Sequence, residues 1–164
     1  MHQPKPGEGE DEVVMARHGM RGFSPARLRR RRSDARFTLE QLALLSGVGQ
    51  QTLSAWETGK SEPTPHKLAA VAAVLRVTVA DLTAIPDNDV QLADLRFLQG
   101  LKQADVAKAL GVPLSAVSRM ERAMRTPTDD QLATLALLYD VDRTAIDTVW
   151  NRTRDAVRIG LRAR

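Results

Sequence analysis

An all-α fold made of two tandem five-helix units is what this sequence predicts, and three observations carry that expectation. The segment from Leu42 to Glu57 recurs from Val106 to Glu121, and aligning residues 28–82 with 92–146 gives 13 identities in 55 positions without a gap. Each copy is followed by a Pro-Thr pair and a Leu-Ala pair, at Pro63-Thr64 and Leu68-Ala69 and again at Pro127-Thr128 and Leu132-Ala133. Apolar residues otherwise recur at helical spacing, with no sustained alternation of the kind a half-buried strand requires. A self-similar period of this length means repeated structural units. Units of about 60 residues sit near the lower limit for an independent core, so contact between the halves is expected to matter.

The elements follow in order. Residues 1–22 carry Pro, Gly and the acidic run Glu8, Glu10, Asp11 and Glu12. They are read as a tail with too little apolar periodicity to fold. Order is expected to begin at Phe23, giving a first domain over 23–85. Ser24 is a good N-cap, and Pro25 sits where a helix has no need of its N–H. Helix 1 should reach about Ala35. Thr38-Leu39-Glu40-Gln41 reads as a capping box opening helix 2, and Gly47 ends that helix by accepting a positive φ. Helix 3 is expected from Gln50 to Thr58 with Gly59 behind it, helix 4 from Thr64-Pro65, and a short helix 5 capped by Thr78 and reaching Ala84. Residues 86–89 are a linker too short to let the units tumble apart.

The second domain, 90–146, repeats the plan with helices near 90–99, 103–109, 114–123 and 129–138, the last opened by the capping box Thr128-Asp129-Asp130-Gln131. It then departs from it. Ile146, Val149, Trp150, Val157 and Leu161 form an apolar stripe with arginines elsewhere, so one long or kinked terminal helix is predicted, running into a basic amphipathic extension over 147–164.

Bulk composition narrows the function classes. There is no cysteine, which removes disulfides and thiolate metal sites and suits a reducing cytoplasm. No apolar run approaches a membrane span. His2, His18 and His66 are scattered, and no metal cluster, Gly-rich phosphate loop or nucleophile constellation is present, so neither enzyme activity, cofactor, metal nor small-molecule ligand is expected. The formal charge of +4 is unevenly placed. Arg27, Arg29, Arg30, Arg31, Arg32 and Arg36 crowd helix 1, and Arg143, Arg152, Arg154, Arg158, Arg162 and Arg164 run through the C-terminal segment. Clustered arginine suits phosphate contacts.

Within each repeat, a small Ala43 or Ala107 lies where helices 2 and 3 press closest, and Gly47 or Gly111 makes the turn. Val48, Leu53 and Trp56, or Val112, Val117 and Met120, point inward. Leu-Ala, three residues, Gly-Val and then an apolar residue before Glu is a fairly specific spacing. It resembles the Cro/phage-repressor (XRE-like) helix-turn-helix family over about 23–84 and 90–146. That resemblance implies a double-stranded DNA-binding transcriptional regulator, and more finely a repressor of phage or mobile-element type.

The resemblance also assigns roles. Gln50 and Gln51 open the first recognition helix, where glutamines of the family read base edges, and Ser54 lies beside them. The matching surface of the second unit is Leu114, Ser115, Ser118 and Arg119, so the halves should prefer different bases. Contacts to the DNA backbone are expected from Thr38, Thr52, Lys60, Gln103, Arg122 and Arg125. Gln103 matches the family's phosphate-contacting glutamine at the start of helix 2; Leu39 does not. Arg32 with Glu57, and Arg96 with Glu121, should form architectural ion pairs. If the halves dock like the family's dimers, their grooves lie about one helical turn (roughly 10 bp) apart.

Three departures stand out. Arg31 occupies a position where the second copy has the core residue Leu95. Helix 1 of the first unit is therefore expected to be shifted or less well packed, or Arg31 to snorkel to a partner. Arg36 replaces the glycine retained at Gly100, and Ala123 replaces the one retained at Gly59. A competing reading gives DNA to one unit and a protein to the other, the second unit being the one preferred for protein. It would homodimerise through Leu114 and the C-terminal helix, or hold a partner in the manner of an antitoxin.

Overall fold

A computed structural model of the chain describes residues 20–162. Residues 1–19, with His2, His18 and the acidic run, lie outside the described residues, as does Arg164. The first unit contains α1 (Pro25–Asp34), α2 (Leu39–Ser46), α3 (Gln50–Glu57) and α4 (Pro65–Leu75), then a 3-10 turn at Ala80–Leu82. A second 3-10 turn, Asp87–Asp89, leads into α5 (Leu92–Leu98), α6 (Gln103–Leu110), α7 (Leu114–Glu121), α8 (Asp129–Leu138) and α9 (Arg143–Arg162). No strand is present among the described residues; only an isolated bridge joins Phe23 to Thr83.

Local signals act as the chain chemistry dictates. The Ser24 hydroxyl accepts from the Arg27 N–H, and the Thr38–Gln41 and Thr128–Gln131 capping boxes are both closed. Thr78 and Asp81 exchange hydrogen bonds as expected of a cap, but they close one tight turn at Ala80–Leu82 instead of a helix reaching Ala84. The backbone repeats as faithfully as the sequence. Positive φ occurs at Arg36 and Gly100, at Gly47 and Gly111, at Gly59 and Ala123, and at Arg76 and Asp140, each pair 64 residues apart. Arg36 and Ala123 thus adopt the left-handed conformation without the glycine that makes it inexpensive.

Each unit has its own core. Leu28, Leu42, Leu53, Trp56, Leu68, Val71 and Leu82 lead the first; Leu92, Val106, Val117, Met120, Leu135, Tyr139 and Ile146 lead the second. Ordered structure starts earlier than Phe23. Met20 is 2% exposed in the first core, and the Ala84 N–H donates to the Gly22 carbonyl, stitching the start of the unit to its end. The tail boundary at residue 22 is therefore corrected: Met20 is a buried member of the first core. Arg31 does snorkel, reaching Asp81 at 3.4 Å.

The terminal helix is a single continuous α9. Its stripe is buried against its own unit through Ile146, Val149 and Trp150, and the Thr153 hydroxyl accepts from the Leu92 N–H at 3.0 Å. Of the stripe beyond Thr153, Val157 is half-buried. The stripe as far as Trp150 is thus consumed within the protomer, while Leu114, named with it for a second copy, is exposed.

The halves meet through unlike surfaces. Phe97 and Leu98, on α5, pack against the first core beside α4. At Gly100 a Cβ atom would lie 2.5 Å from the Ala69 Cβ on α4. Their counterparts at the other ends of the repeat, Ser33, Asp34 and Arg36 on and after α1 and Ala133 on α8, are exposed. The interface is heterologous, which corrects the expectation of a dimer-like docking: a two-fold relation would bury the same patch twice. The linker is clamped from both sides. Arg21 pairs with Asp89 and Asp94 at 3.2 Å each, and Arg152 donates to the carbonyls of Asp87 and Val90 at 3.0 Å.

Candidate nucleic-acid interface

In both units a glycine turn joins the two helices of the motif, and an ion pair ties the second of them to the unit's first helix. Gly47 and Gly111 bend the chain with φ of 71° and 64°, and no atom lies within 4 Å of a Cβ built on either, so conformation and not space selects glycine there. Arg32 grips Glu57 through Nε and Nη2 at 2.6 and 2.9 Å, and its Nη1 donates to the Phe37 carbonyl at 2.8 Å. Arg96 does the same with Glu121 at 2.5 and 3.0 Å and with the Leu101 carbonyl at 3.0 Å. Both expected pairs therefore form, and they are bidentate, the geometry that best offsets burial. The hydrogen bonding of Arg32 to the Glu57 carboxylate is the main reason its pKa is raised above its ordinary value. The second pair is more deeply enclosed, with the Arg96 side chain 3% exposed against 17% for Arg32. Each pair ties the first helix of its unit to the end of the third, which fixes how far the recognition helix projects.

That frame leaves the N-terminal ends of α3 and α7 outward. Gln50 and Gln51 are exposed at the first two positions of α3, while Leu53 and Trp56 are buried behind them. Ser54 and Thr52 are half-exposed, and Thr38 and Lys60 are exposed at the flanks. On α7, Leu114, Ser115 and Arg119 are exposed and Ser118 is half-exposed. Arg125 follows, exposed, and Arg122 stands at the C-cap of α7, where its Nε donates to the Ser118 carbonyl at 3.3 Å.

Gln103 stands elsewhere. It is buried, and its Nε2 donates to Glu121 Oε2 at 2.7 Å, so its side chain completes the Arg96–Glu121 cluster instead of facing outward as a backbone contact would. Glutamate with two oxygens has capacity for this third donor. The 64-residue spacing carried the signal: Leu39, its counterpart, is a partly buried residue packed on the first core.

Sequence reasoning also missed a charge asymmetry. Lys102 and Lys108, neither assigned a role, are exposed and join Arg119, Arg122 and Arg125 around the second motif. The corresponding positions of the first unit are Thr38, Leu44, Ala55, Thr58 and Ser61, all uncharged. There Leu44 is 83% exposed, Glu40 and Glu62 are exposed, and the cations near the end of α3 are Lys60 and, across a groove, Arg29 and Arg30. Much of the arginine on helix 1 is architectural. Arg27 donates to the Thr83 carbonyl, and Arg31 and Arg32 hold acidic partners, while Arg29 and Arg30 line an open groove of about 420 Å³ beside Thr58 and Gly59. Likewise Arg143 is bound to Asp129 at 2.8 Å and Asp147 at 3.2 Å. No group of three or more potential metal-ligating residues occurs among the described residues.

Comparison with known families agrees with this geometry. The helix-turn-helix family HTH_3 matches residues 28–82 and again residues 92–146, together more than half of the chain. The chain belongs to the HTH_3 family. It is a tandem helix-turn-helix protein of the Cro/C1 (XRE-like) type, a class of DNA-binding regulators. Neither a curated protein nor a solved structure matches it. Among the described residues no helix is long and apolar enough to cross a membrane.

Proposed function

We propose that this HTH_3 protein is a sequence-specific double-stranded DNA-binding regulator, a repressor in the simplest case, that presents two non-identical recognition helices to adjacent major grooves. The observation that carries the reading is the exposure of Gln50 and Gln51 at the leading end of a recognition helix whose opposite face is buried. Paired amides there can bond bidentately to adenine N6 and N7, and Arg119 can meet guanine O6 and N7 from the second unit. A repressor needs nothing further, since occupancy of a promoter by a rigid tandem excludes other proteins.

The cations around α7 favour DNA over protein as the partner of the second unit. Lysine is depleted at protein interfaces, which weighs against a protein partner at Lys102 and Lys108, whereas clustered lysine and arginine are the source of phosphate affinity. Within the second unit Lys102, Lys108, Arg122 and Arg125 would supply affinity, while Gln50 and Gln51 from the first unit and Arg119 from the second would supply discrimination. Selection from random duplexes tests the reading. A Gln50→Ala, Gln51→Ala double variant should lose about 1–3 kcal/mol of discrimination for each base no longer read, with an unchanged salt dependence. Arg122→Ala with Arg125→Ala should weaken binding to all sequences alike and flatten the salt slope by about 0.9 for each phosphate no longer neutralised. Selection that enriches no sequence would refute the proposal.

A further inference from the structure

The way the units dock decides how a DNA site for this protein must be arranged. We infer that the two recognition helices address half-sites lying head to tail along one duplex, not an inverted repeat; this rests on the DNA-binding reading above.

A palindromic site is matched by two reading heads related by a two-fold axis. Here that axis is missing. The face of α4 around Ala69 is covered by Phe97, Leu98 and Gly100 of the second unit, yet the equivalent Ala133 on α8 is bare. The equivalents of the three covering residues, Ser33, Asp34 and Arg36, are exposed and polar. One unit supplies the socket and the other the plug, so the relation between them has a direction.

The heads also cannot swing into a two-fold arrangement. Gly100 fits only because it lacks a side chain, with φ of 68° and a would-be Cβ 2.5 Å from Ala69. Arg21 reaches across from the first unit to Asp94, which is 2% exposed at the start of α5, and to Asp89 in the linker. Arg152 holds the same linker from α9. With both arginines fastened to so short a connection, little room is left for rotation.

The contact joins the edges that would face DNA. Gly100 lies just before Lys102 and Gln103, where α6 opens the second motif, and a Cβ built on it would meet the Pro65 carbonyl oxygen at 3.7 Å. Pro65 begins α4, shortly after the exposed loop Thr58–Glu62 that leaves the first recognition helix. The trailing edge of one motif therefore abuts the leading edge of the next, so one duplex passes both in sequence. The non-equivalent surfaces of α3 and α7 then read an asymmetric site with a defined polarity.

Competition binding of the full chain to three duplexes tests this. The first carries the site selected from random DNA, the second has one half-site inverted in place, and the third has that half-site scrambled. Inversion should weaken binding about tenfold or more and match the scrambled duplex. Gln50→Ala with Gln51→Ala should erase preference at one half only, and Arg119→Ala at the other, giving the polarity. Equal or tighter binding to the inverted duplex, or a selected site that is itself palindromic, overturns the inference while leaving DNA binding intact. Failure to prefer any of the three over random DNA would instead refute the functional reading together with it.

Discussion

Replacing Gly100 with alanine isolates the contact on which the arrangement of the two units depends. Two penalties combine at this position. Alanine held at φ of 68° costs about 1 kcal/mol or slightly more, the left-handed penalty of any L-residue with a Cβ. The added methyl would also meet the Ala69 Cβ at 2.5 Å, inside any normal contact, and overpacking of this kind costs about 1–3 kcal/mol. Gly100→Ala should therefore destabilise by about 2–4 kcal/mol, a large share of the stability of a small domain. Gly111→Ala supplies the internal control, because its φ is 64° but nothing lies within 4 Å of the new methyl. It should cost only the conformational part, about 1 kcal/mol. Adding Ala69→Gly to Gly100→Ala should recover part of the loss, less the roughly 1 kcal/mol that glycine costs inside α4. Urea denaturation of these variants, with positions 69 and 100 treated as a double-mutant cycle, measures the coupling directly. Equal destabilisation by Gly100→Ala and Gly111→Ala, with no coupling to position 69, would refute the close approach and with it the rigid heterologous docking.

Further outcomes follow from the same geometry. Arg36→Gly and Ala123→Gly should each raise stability by about 0.5–1 kcal/mol in thermal denaturation, since both residues hold a positive φ where the other repeat has glycine. Glu121→Ala leaves Arg96 buried without its partner and should cost about 3–5 kcal/mol. Glu57→Ala should cost less, because Arg32 is more exposed than Arg96 while each keeps one backbone carbonyl partner. Burial is the largest influence on Asp94 and raises its pKa, against the opposing pull of the Gln91 N–H and Arg21. A raised carboxyl pKa favours the protonated form in the folded state, so the contribution to stability is full below the ordinary carboxylate range. It is lost as pH rises through the raised value. The difference in Tm between wild type and Asp94→Asn should therefore fall as pH climbs from about 3 to about 6; a difference that grows would show that pairing with Arg21 outweighs desolvation.

Most of the scaffold was legible in the sequence because its determinants are short-range or repeated. A capping box needs Thr38 and Gln41, or Thr128 and Gln131, three residues apart, and a turn between packed helices needs glycine at 47 and 111. The same core periodicity occurs twice, so each copy supports the other. The Arg32–Glu57 and Arg96–Glu121 pairs were legible through the family resemblance, and the missing glycines at Arg36 and Ala123 through the repeat itself. Exposure of Gln50 and Gln51 followed from which neighbours on α3 were apolar.

What the chain could not reveal locally is which surfaces meet. Gln103 carries the residue type of a phosphate contact, but whether its amide faces outward or turns to Glu121 depends on the position of a helix ending 18 residues away. The stripe of α9 was legible from its periodicity, but that it closes on its own unit, and that Met20 is buried in the first core, was decided by the tertiary packing. The repeat left open whether the halves dock like the family's dimers. Only the tertiary structure shows Phe97, Leu98 and Gly100 closing on α4 while Ser33, Asp34 and Arg36 stay in water. Hydrophobic burial is non-directional, so the same helical scaffold can pack in many relative orientations. The choice among them was made by a glycine with no room for a methyl and by arginines reaching across the joint.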